Sequence, residues 1–315
     1  MNRQHEDLWI TYEGGQGPGA GKHIVLVSGD EEYRSEESLP MLAKILAVRH
    51  GFKCTVLFAV DPETGAIDPE TLDNIPGLHH LDDADLMIML IRFRELPDEQ
   101  MKHIIDYTNR GKPVIGLRTA THAFKYVKDP QSSYAKYSCE DEQFEGGYGR
   151  QVLGETWVGH HSNHGVESTR GVIDEANRTH PVLKGVRDIW CPTDVYAVGE
   201  ITGDPRVLVW GQVLQGMDPR DGPNLDKSRM PIAWVKSYTG DDGNTCRVFC
   251  TTMGASVDLE NAGLRRLLVN ACYWGMEMED RISDASNVDY VGDYNPTAFG
   301  YGGFTKGVRP SEHAF

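Results

Sequence analysis

No stretch of this 315-residue chain reaches the roughly 18 uninterrupted apolar residues that a membrane-spanning helix needs. Positive charge is scarce: 31 Lys and Arg stand against 47 Asp and Glu, a formal net charge of −16. Nucleic acids and anionic lipid surfaces repel so acidic a chain at long range, so neither a nucleic acid nor a membrane is expected as a partner. Cysteine is sparse as well, at positions 54, 139, 191, 246, 250 and 272 with no CxxC pair. That spacing signals no disulfide framework, and a chain of this length can build a core without one. Cys246 and Cys250 fall four residues apart on one extended segment, on the same face but too far apart to pair, and Cys250 is expected in the core. Residues 1–15, MNRQHEDLWITYEGG, contain no apolar h-region, so no signal peptide is read there. A cytoplasmic protein and the mature form of an exported one both fit. No internal repeat is visible.

What is present is an alternation of strands and helices. His23–Ser28, Lys53–Phe58, Ala84–Ile91 and Val114–Leu117 are continuous apolar runs, as strands of a parallel sheet covered on both faces should be. Between them lie two helical patterns. The first is capped by Ser38 or Ser35 with a stripe of Leu39, Leu42, Ile45 and Leu46; the second is opened by Pro97-Asp98-Glu99 and stopped by Gly111-Lys112-Pro113. Such βαβ units imply right-handed crossovers and an α/β fold with a parallel core. Segments 169–173, 194–198, 206–210 and 231–235 alternate more, as antiparallel or mixed strands would. Arg247–Thr252 is a further buried strand, followed by a helix through Leu264–Trp274. Residues 1–21 read as a flexible lead-in, about 128–165 as a long insertion over the sheet's edge, and 281–315 as an extended tail. That tail is too rich in Gly, Pro and aromatics to form its own core, and either wraps the domain or crosses to a neighbouring subunit.

In an open parallel sheet ligands bind beyond the carboxyl ends of the strands. Four loops should converge there: Gly29-Asp30-Glu31-Glu32-Tyr33-Arg34, Arg92-Phe93-Arg94-Glu95, Arg118-Thr119-Ala120-Thr121-His122 and Met253-Gly254-Ala255-Ser256. The third has the layout of a nucleophile elbow, a strand turning at once into a helix through Gly116-Leu117-Arg118-Thr119-Ala120. Arginine at the elbow position has no usable nucleophile. It offers either a fork of donors for an oxygen-rich ligand or a salt bridge to Glu31 or Glu32 that holds the rim together. His160-His161-Ser162-Asn163-His164 is the densest histidine cluster. Its spacing matches no strong metal signature, and a divalent-metal site, a proton carrier and a merely solvated loop are all open readings. Asp194, in Pro192-Thr193-Asp194-Val195-Tyr196, is a further polar candidate or a simple turn residue.

Several of these motifs resemble the trehalose-utilisation (ThuA-like) family. They are residues 116–124 after the fourth strand, His180-Pro181-Val182-Leu183-Lys184-Gly185, Pro192–Tyr196, and Arg247–Gly254 leading into the last helix. The resemblance covers roughly Lys22–Glu279. It implies a flavodoxin-like, class I glutamine amidotransferase-like sheet with helices on both faces and mixed β additions, spanning 22–280. It also implies a link to carbohydrate use by relatives of amidotransferases that lack the cysteine nucleophile. Where many members carry Gly-His after the late strand this chain has Gly254-Ala255, so a role resting on that histidine does not carry over.

Two functions follow as expectations. In the first, an enzyme acts on a sugar or keto-sugar. Glu31 or Glu32 is its acid/base, Arg94 and Arg118 are clamps, and His122 or His161 is a second proton carrier. In the second, a non-catalytic protein binds a sugar or a carboxylate in the same pocket. Asp30, Arg34, Arg92, Arg94, Thr119 and Asp194 are expected to contact ligand in either case, with His160, His161 and His164 as candidate metal ligands. No nucleotide cofactor is expected, and a homo-oligomer built through the tail is.

Overall fold

The computed structural model describes residues 8–315. Ten strands among them form one sheet: β1 (Trp9–Tyr12), β2 (His23–Gly29), β3 (Lys53–Phe58), β4 (Leu86–Ile91), β5 (Val114–Leu117), β6 (Thr169–Ile173), β7 (Trp190–Cys191), β8 (Arg206–Val213), β9 (Met230–Thr239) and β10 (Thr245–Thr251). Their order is β1-β3-β2-β4-β5-β10-β9-β8-β6-β7. From β3 to β10 neighbouring strands are parallel; β1 and the β9-β8-β6-β7 wing pair antiparallel. The sheet therefore has an α/β layout with a parallel core and mixed additions.

Strand β2 shows why the core forms. Its Ile24 and Leu26 enter one apolar cluster and its Val25 and Val27 the opposite one, so both faces are buried. Helices α1 (Ser35–His50) and α3 (Ala262–Gly275) cover the first face, and α2 (Asp98–Asn109) covers the second. The insertion does not lie over the sheet's edge, as its composition suggested. Tyr148, Val152 and Leu153 pack with Trp234 and Cys250 on the α2 face, where no helix covers β9 and β10. Cys250 is buried there, and all six cysteines are free.

Three local expectations change. The lead-in contributes strand β1, whose Trp9–Tyr12 pairs with Leu57–Cys54. Neither Ser38 nor Ser35 caps helix α1: the helix begins at Ser35 itself with Arg34 at the N-cap, and Ser35 Oγ, engaged by the Asp30 N–H (3.0 Å) and the Ser28 hydroxyl (2.8 Å), pins the loop at that point. Residues 194–198 are not a ladder strand. Their backbone is taken up by the insertion, with the His161 N–H donating to the Val195 carbonyl (2.9 Å) and the Val195 N–H to Ser162 Oγ (2.8 Å). The tail folds back on its own chain: Ile282 and Val288 join the core beside α1 and α3, and Tyr12 donates to the His313 carbonyl (2.7 Å).

Candidate functional site

From β2 the chain crosses one way to β3 and then back to β4, so the crevice above β2 and β4 is the topological switch point of the parallel core. The loops leaving β2, β4 and β5 meet there, and each contains a non-glycine residue with positive φ: Arg34 (58°), Phe93 (49°) and Arg118 (41°). Left-handed backbone at such side chains costs free energy and persists only where the surroundings over-determine it. The sharp bend of the elbow is present at Arg118, but it leads into a 3₁₀ turn over Arg118–His122 directly after β5 and not into a helix.

Arg118 is fully buried. Its guanidinium lies between the rings of Tyr33 (4.1 Å to the centroid) and Tyr196 (4.3 Å). One terminal nitrogen donates to the carbonyls of Thr252 (2.7 Å) and Asp194 (3.1 Å), the other to Asp194 Oδ1 (2.7 Å) and the Tyr33 hydroxyl (3.0 Å). Only Nε has no partner. The salt bridge expected to Glu31 or Glu32 is made instead to Asp194, brought in by the loop between β7 and β8. Arg118 is consequently no free fork for a ligand; it sets the position of a carboxylate.

That carboxylate is the hub of the site. Asp194 Oδ2 accepts from His160 Nδ1 (2.6 Å) and Oδ1 from His164 Nδ1 (2.9 Å), while His164 Nε2 lies 3.3 Å from Glu32 Oε1. Burial alone would raise the Asp194 carboxyl, but Arg118 and the two imidazole hydrogen bonds hold it well below the usual carboxylate range. His164 is shifted upward, first by its hydrogen bond to Asp194 and then, against partial burial, by the charges of Asp194 and Glu32. Both imidazoles open outward, with side chains 37% and 33% exposed. The ligand atoms of His160, His164 and Asp194 lie within 4.8 Å of one another, the only such group of three or more His, Cys, Asp or Glu among the described residues. Two imidazole nitrogens and a carboxylate oxygen suit a divalent first-row cation.

The remaining candidates divide between wall and scaffold. Glu31 is paired with Arg92 and with Arg94 Nη2 (2.9 Å), and Arg94 is buried with its other donors on the carbonyls of Arg92, Pro69 and Thr71. Neither Glu31 nor Arg94 is free to work on a ligand. Asp30 accepts from the N–H groups of Glu32 (2.8 Å) and Tyr33 and from the Thr119 hydroxyl, tying the β2 loop to the elbow. Arg34 is buried and donates to the Gly300 carbonyl of the tail. His122 is buried between Phe93 and Trp157 (centroids 5.1 and 5.4 Å), and burial, then Arg92 and Arg118, keep it neutral, which removes it as a proton carrier near pH 7. His161 points the other way, onto the Ser228 carbonyl (2.8 Å), because adjacent residues on an extended segment face opposite sides. It takes no part in the centre; of the three histidines only His160 and His164 meet.

A sequence profile described as trehalose utilisation (ThuA) matches residues 24–275. The chain belongs to the trehalose-utilisation family. A solved ThuA-like protein of Parabacteroides merdae is 15% identical, with a TM-score of 0.52 over 89% of this chain and 97% of that one. Another, from Bacteroides uniformis, is 16% identical, with a TM-score of 0.48 over 84% and 94%. No curated protein sequence matches. In this ThuA-family chain, several site residues escaped sequence reasoning. Tyr33 and Tyr196 flank Arg118. Asp258, fully buried, accepts from the Thr193 hydroxyl (2.9 Å) and the Gly254 N–H (2.9 Å), joining the β7–β8 loop to the turn after β10. Trp157, Phe299 and Tyr301 stand at the mouth. The one legible signal, for Phe299 and Tyr301, was the aromatic content of the tail, which does not say where rings converge.

Proposed function

We propose that this ThuA-family protein is an enzyme acting on a sugar or keto-sugar derivative without a covalent nucleophile, through the His160–Asp194–His164 centre. The observation that carries the reading is the placement of two outward-facing imidazoles on opposite oxygens of one carboxylate that buried Arg118 holds in position. Asp194 orients both rings, so one neutral imidazole can take a proton from carbon or hydroxyl while the other, protonated, returns one. His164 suits the acid role, because Asp194 and Glu32 both favour its charged form. A divalent cation bound by the same three groups would supply a Lewis acid for a carbonyl or hydroxyl oxygen. Polarisation of a carbonyl thus falls to this centre and not to Arg118, whose terminal donors are occupied.

One observation favours the alternative, a binding protein without turnover: the charges of the rim neutralise each other, Glu31 with Arg92 and Arg94, Asp194 with Arg118. Both readings are tested by calorimetric titration of Zn²⁺, Mn²⁺ and Co²⁺ into the wild type and His160→Ala, His164→Ala and Asp194→Asn. Turnover of a panel of sugars and keto-sugars is followed in parallel. Metal affinity is expected to fall at least about tenfold in each variant, together with turnover. Turnover that survives a chelator would leave an acid/base enzyme without metal. Binding with no turnover of any panel member would favour the alternative.

A further inference from the structure

The C-terminal tail returns over the first turn of α1 and encloses a cavity of about 100 Å³ against it. The lining is Glu36 and Glu37 from α1, Ile67 from the segment after β3, and Thr305, Val308 and His313 from the tail. None of these residues belongs to the His160–Asp194–His164 centre. The cover is well fastened. The Ile67 N–H donates to the Val308 carbonyl (2.8 Å), and the Tyr12 hydroxyl donates to the His313 carbonyl (2.7 Å). The His313 ring stacks on buried Phe58, with centroids 5.4 Å apart and planes 15° from parallel.

Polar atoms at this cavity go unused. Glu36 is only 7% exposed, and neither of its carboxylate oxygens has a hydrogen-bond partner; His313 Nε2 is buried without one as well. Glu37, by contrast, engages both oxygens, with the Thr297 N–H (2.7 Å) and the Thr297 hydroxyl (2.6 Å). Buried polar atoms are nearly always paired, so three unpaired ones at one cavity point to a ligand that pairs them. Burial, and then the charge of Lys44, lower the His313 pKa to about 4 and keep the ring neutral. With the ring proton on Nδ1, Nε2 is an acceptor. The ligand therefore has to bring donors.

We propose that this cavity beneath the tail is a binding site for a small primary ammonium cation, a short alkylamine in its protonated form. An –NH₃⁺ group carries three donors and no acceptor, which matches the free acceptors Glu36 Oε1, Glu36 Oε2 and His313 Nε2. Ile67, Val308 and the Thr305 methyl leave an apolar wall for the alkyl chain. A cavity of about 150 Å³ takes benzene, so this one takes something smaller. A transition metal is the poorer match. Its protein sites supply about three or four ligands, and of the ligating groups here only Glu36 and His313 are free. The charges of Arg34, Glu37 and Asp30 act on Glu36, and those of Lys44 and Glu312 on His313; the acids outnumber the bases and favour a cation. As the ammonium enters, the Glu36 carboxyl releases its proton to solvent and its two oxygens accept from the ammonium.

The test is calorimetric titration of the full chain at pH 7 with methylammonium, propylammonium and tetramethylammonium, in two buffers of different ionisation heat that contain no primary amine. The primary ammonium ions are expected to bind with release of about one proton per ion bound. Tetramethylammonium, which has no N–H, should not bind. Glu36→Gln should weaken methylammonium binding by about tenfold or more, the worth of a hydrogen bond to a charged group, and His313→Leu by about three- to tenfold. His164→Ala should leave this affinity unchanged, which separates the cavity from the centre. Thermal melting confirms that each variant is folded. Tetramethylammonium binding as tight as methylammonium binding, an affinity unchanged in Glu36→Gln, or no binding of either primary ammonium overturns the proposal. So does Co²⁺ binding that survives His160→Ala and is lost in Glu36→Gln, which would make the cavity a metal site.

Discussion

The two halves of the sheet contribute different things to the site. The parallel half, β3-β2-β4-β5-β10, is buried on both faces, and its loops carry the left-handed turns at Arg34, Phe93 and Arg118. It supplies position and a fixed positive charge. The antiparallel half, β9-β8-β6-β7, is only partly buried on β6, and the segments attached to it carry His160, His164 and Asp194. It supplies the groups able to do chemistry. One buried ion pair, Arg118 with Asp194 (2.7 Å), joins the two. The comparison teaches that the strained turn after β5 can hold an arginine, a residue that anchors chemistry arriving from the other half of the sheet.

Breaking that joint should have the largest effect. Arg118→Met leaves the Asp194 carboxylate buried beside two imidazoles without its cation, and a loss of about 3–5 kcal/mol is expected in urea unfolding, with divalent-metal binding lost as well. If stability were unchanged, the halves would be held by other contacts and the comparison would fail.

A next test concerns the parallel half alone. Glu36, in the first turn of α1, is buried with both carboxylate oxygens unpartnered, and burial, only partly offset by the charge of Arg34, pushes its pKa from 4.5 to about 8. The folded state therefore holds a proton that the unfolded chain releases near pH 4.5. The stability linked to this group is complete below that value and declines as the pH rises through about 8. Glu36→Gln should remove this decline, so that the variant gains on the wild type by a few kcal/mol between pH 5 and pH 9. Unfolding curves at several pH values check it, and parallel pH profiles for the two proteins would refute it.

A smaller effect is expected where the insertion meets the antiparallel half. Trp234, fully buried in β9, donates through its indole to the Leu153 carbonyl (2.8 Å). Trp234→Phe should cost about 1–2 kcal/mol and raise hydrogen exchange in residues 149–165, the segment that carries the histidines. Last, His161→Ala should change metal binding not at all and stability by no more than about 0.5 kcal/mol, since His161 faces Ser228. A loss of metal in this variant would show that the two-histidine centre is drawn wrongly.

The parallel half was the legible half. Continuous apolar runs such as Leu86–Ile91, cut by Gly111-Lys112-Pro113, announce buried strands and crossover helices from local pattern alone. The elbow at Arg118 was legible for the same reason. Asp194 was not assigned its role, because nothing local in Pro192–Tyr196 says that its carboxylate lies beside a residue 76 positions earlier. The histidine cluster was noticed, but its members could not be sorted; His161 and His160 are neighbours in sequence and face opposite ways. The segment 194–198 has strand-like alternation, and its backbone was claimed by the insertion instead of by a ladder.

By itself the amino-acid sequence determined the alternation of strands and helices, the acidic surface, the place of the elbow and the absence of a nucleophile at its tip. These are properties of residues close in the chain, where periodicity and backbone preference act. Only the tertiary structure decided which charges neutralise each other, which two of three histidines meet, and that the tail returns to set Phe299 and Tyr301 at the mouth. Such pairings depend on through-space distances of about 3 Å between groups far apart in sequence, and on burial that makes each unpaired charge too costly to leave alone.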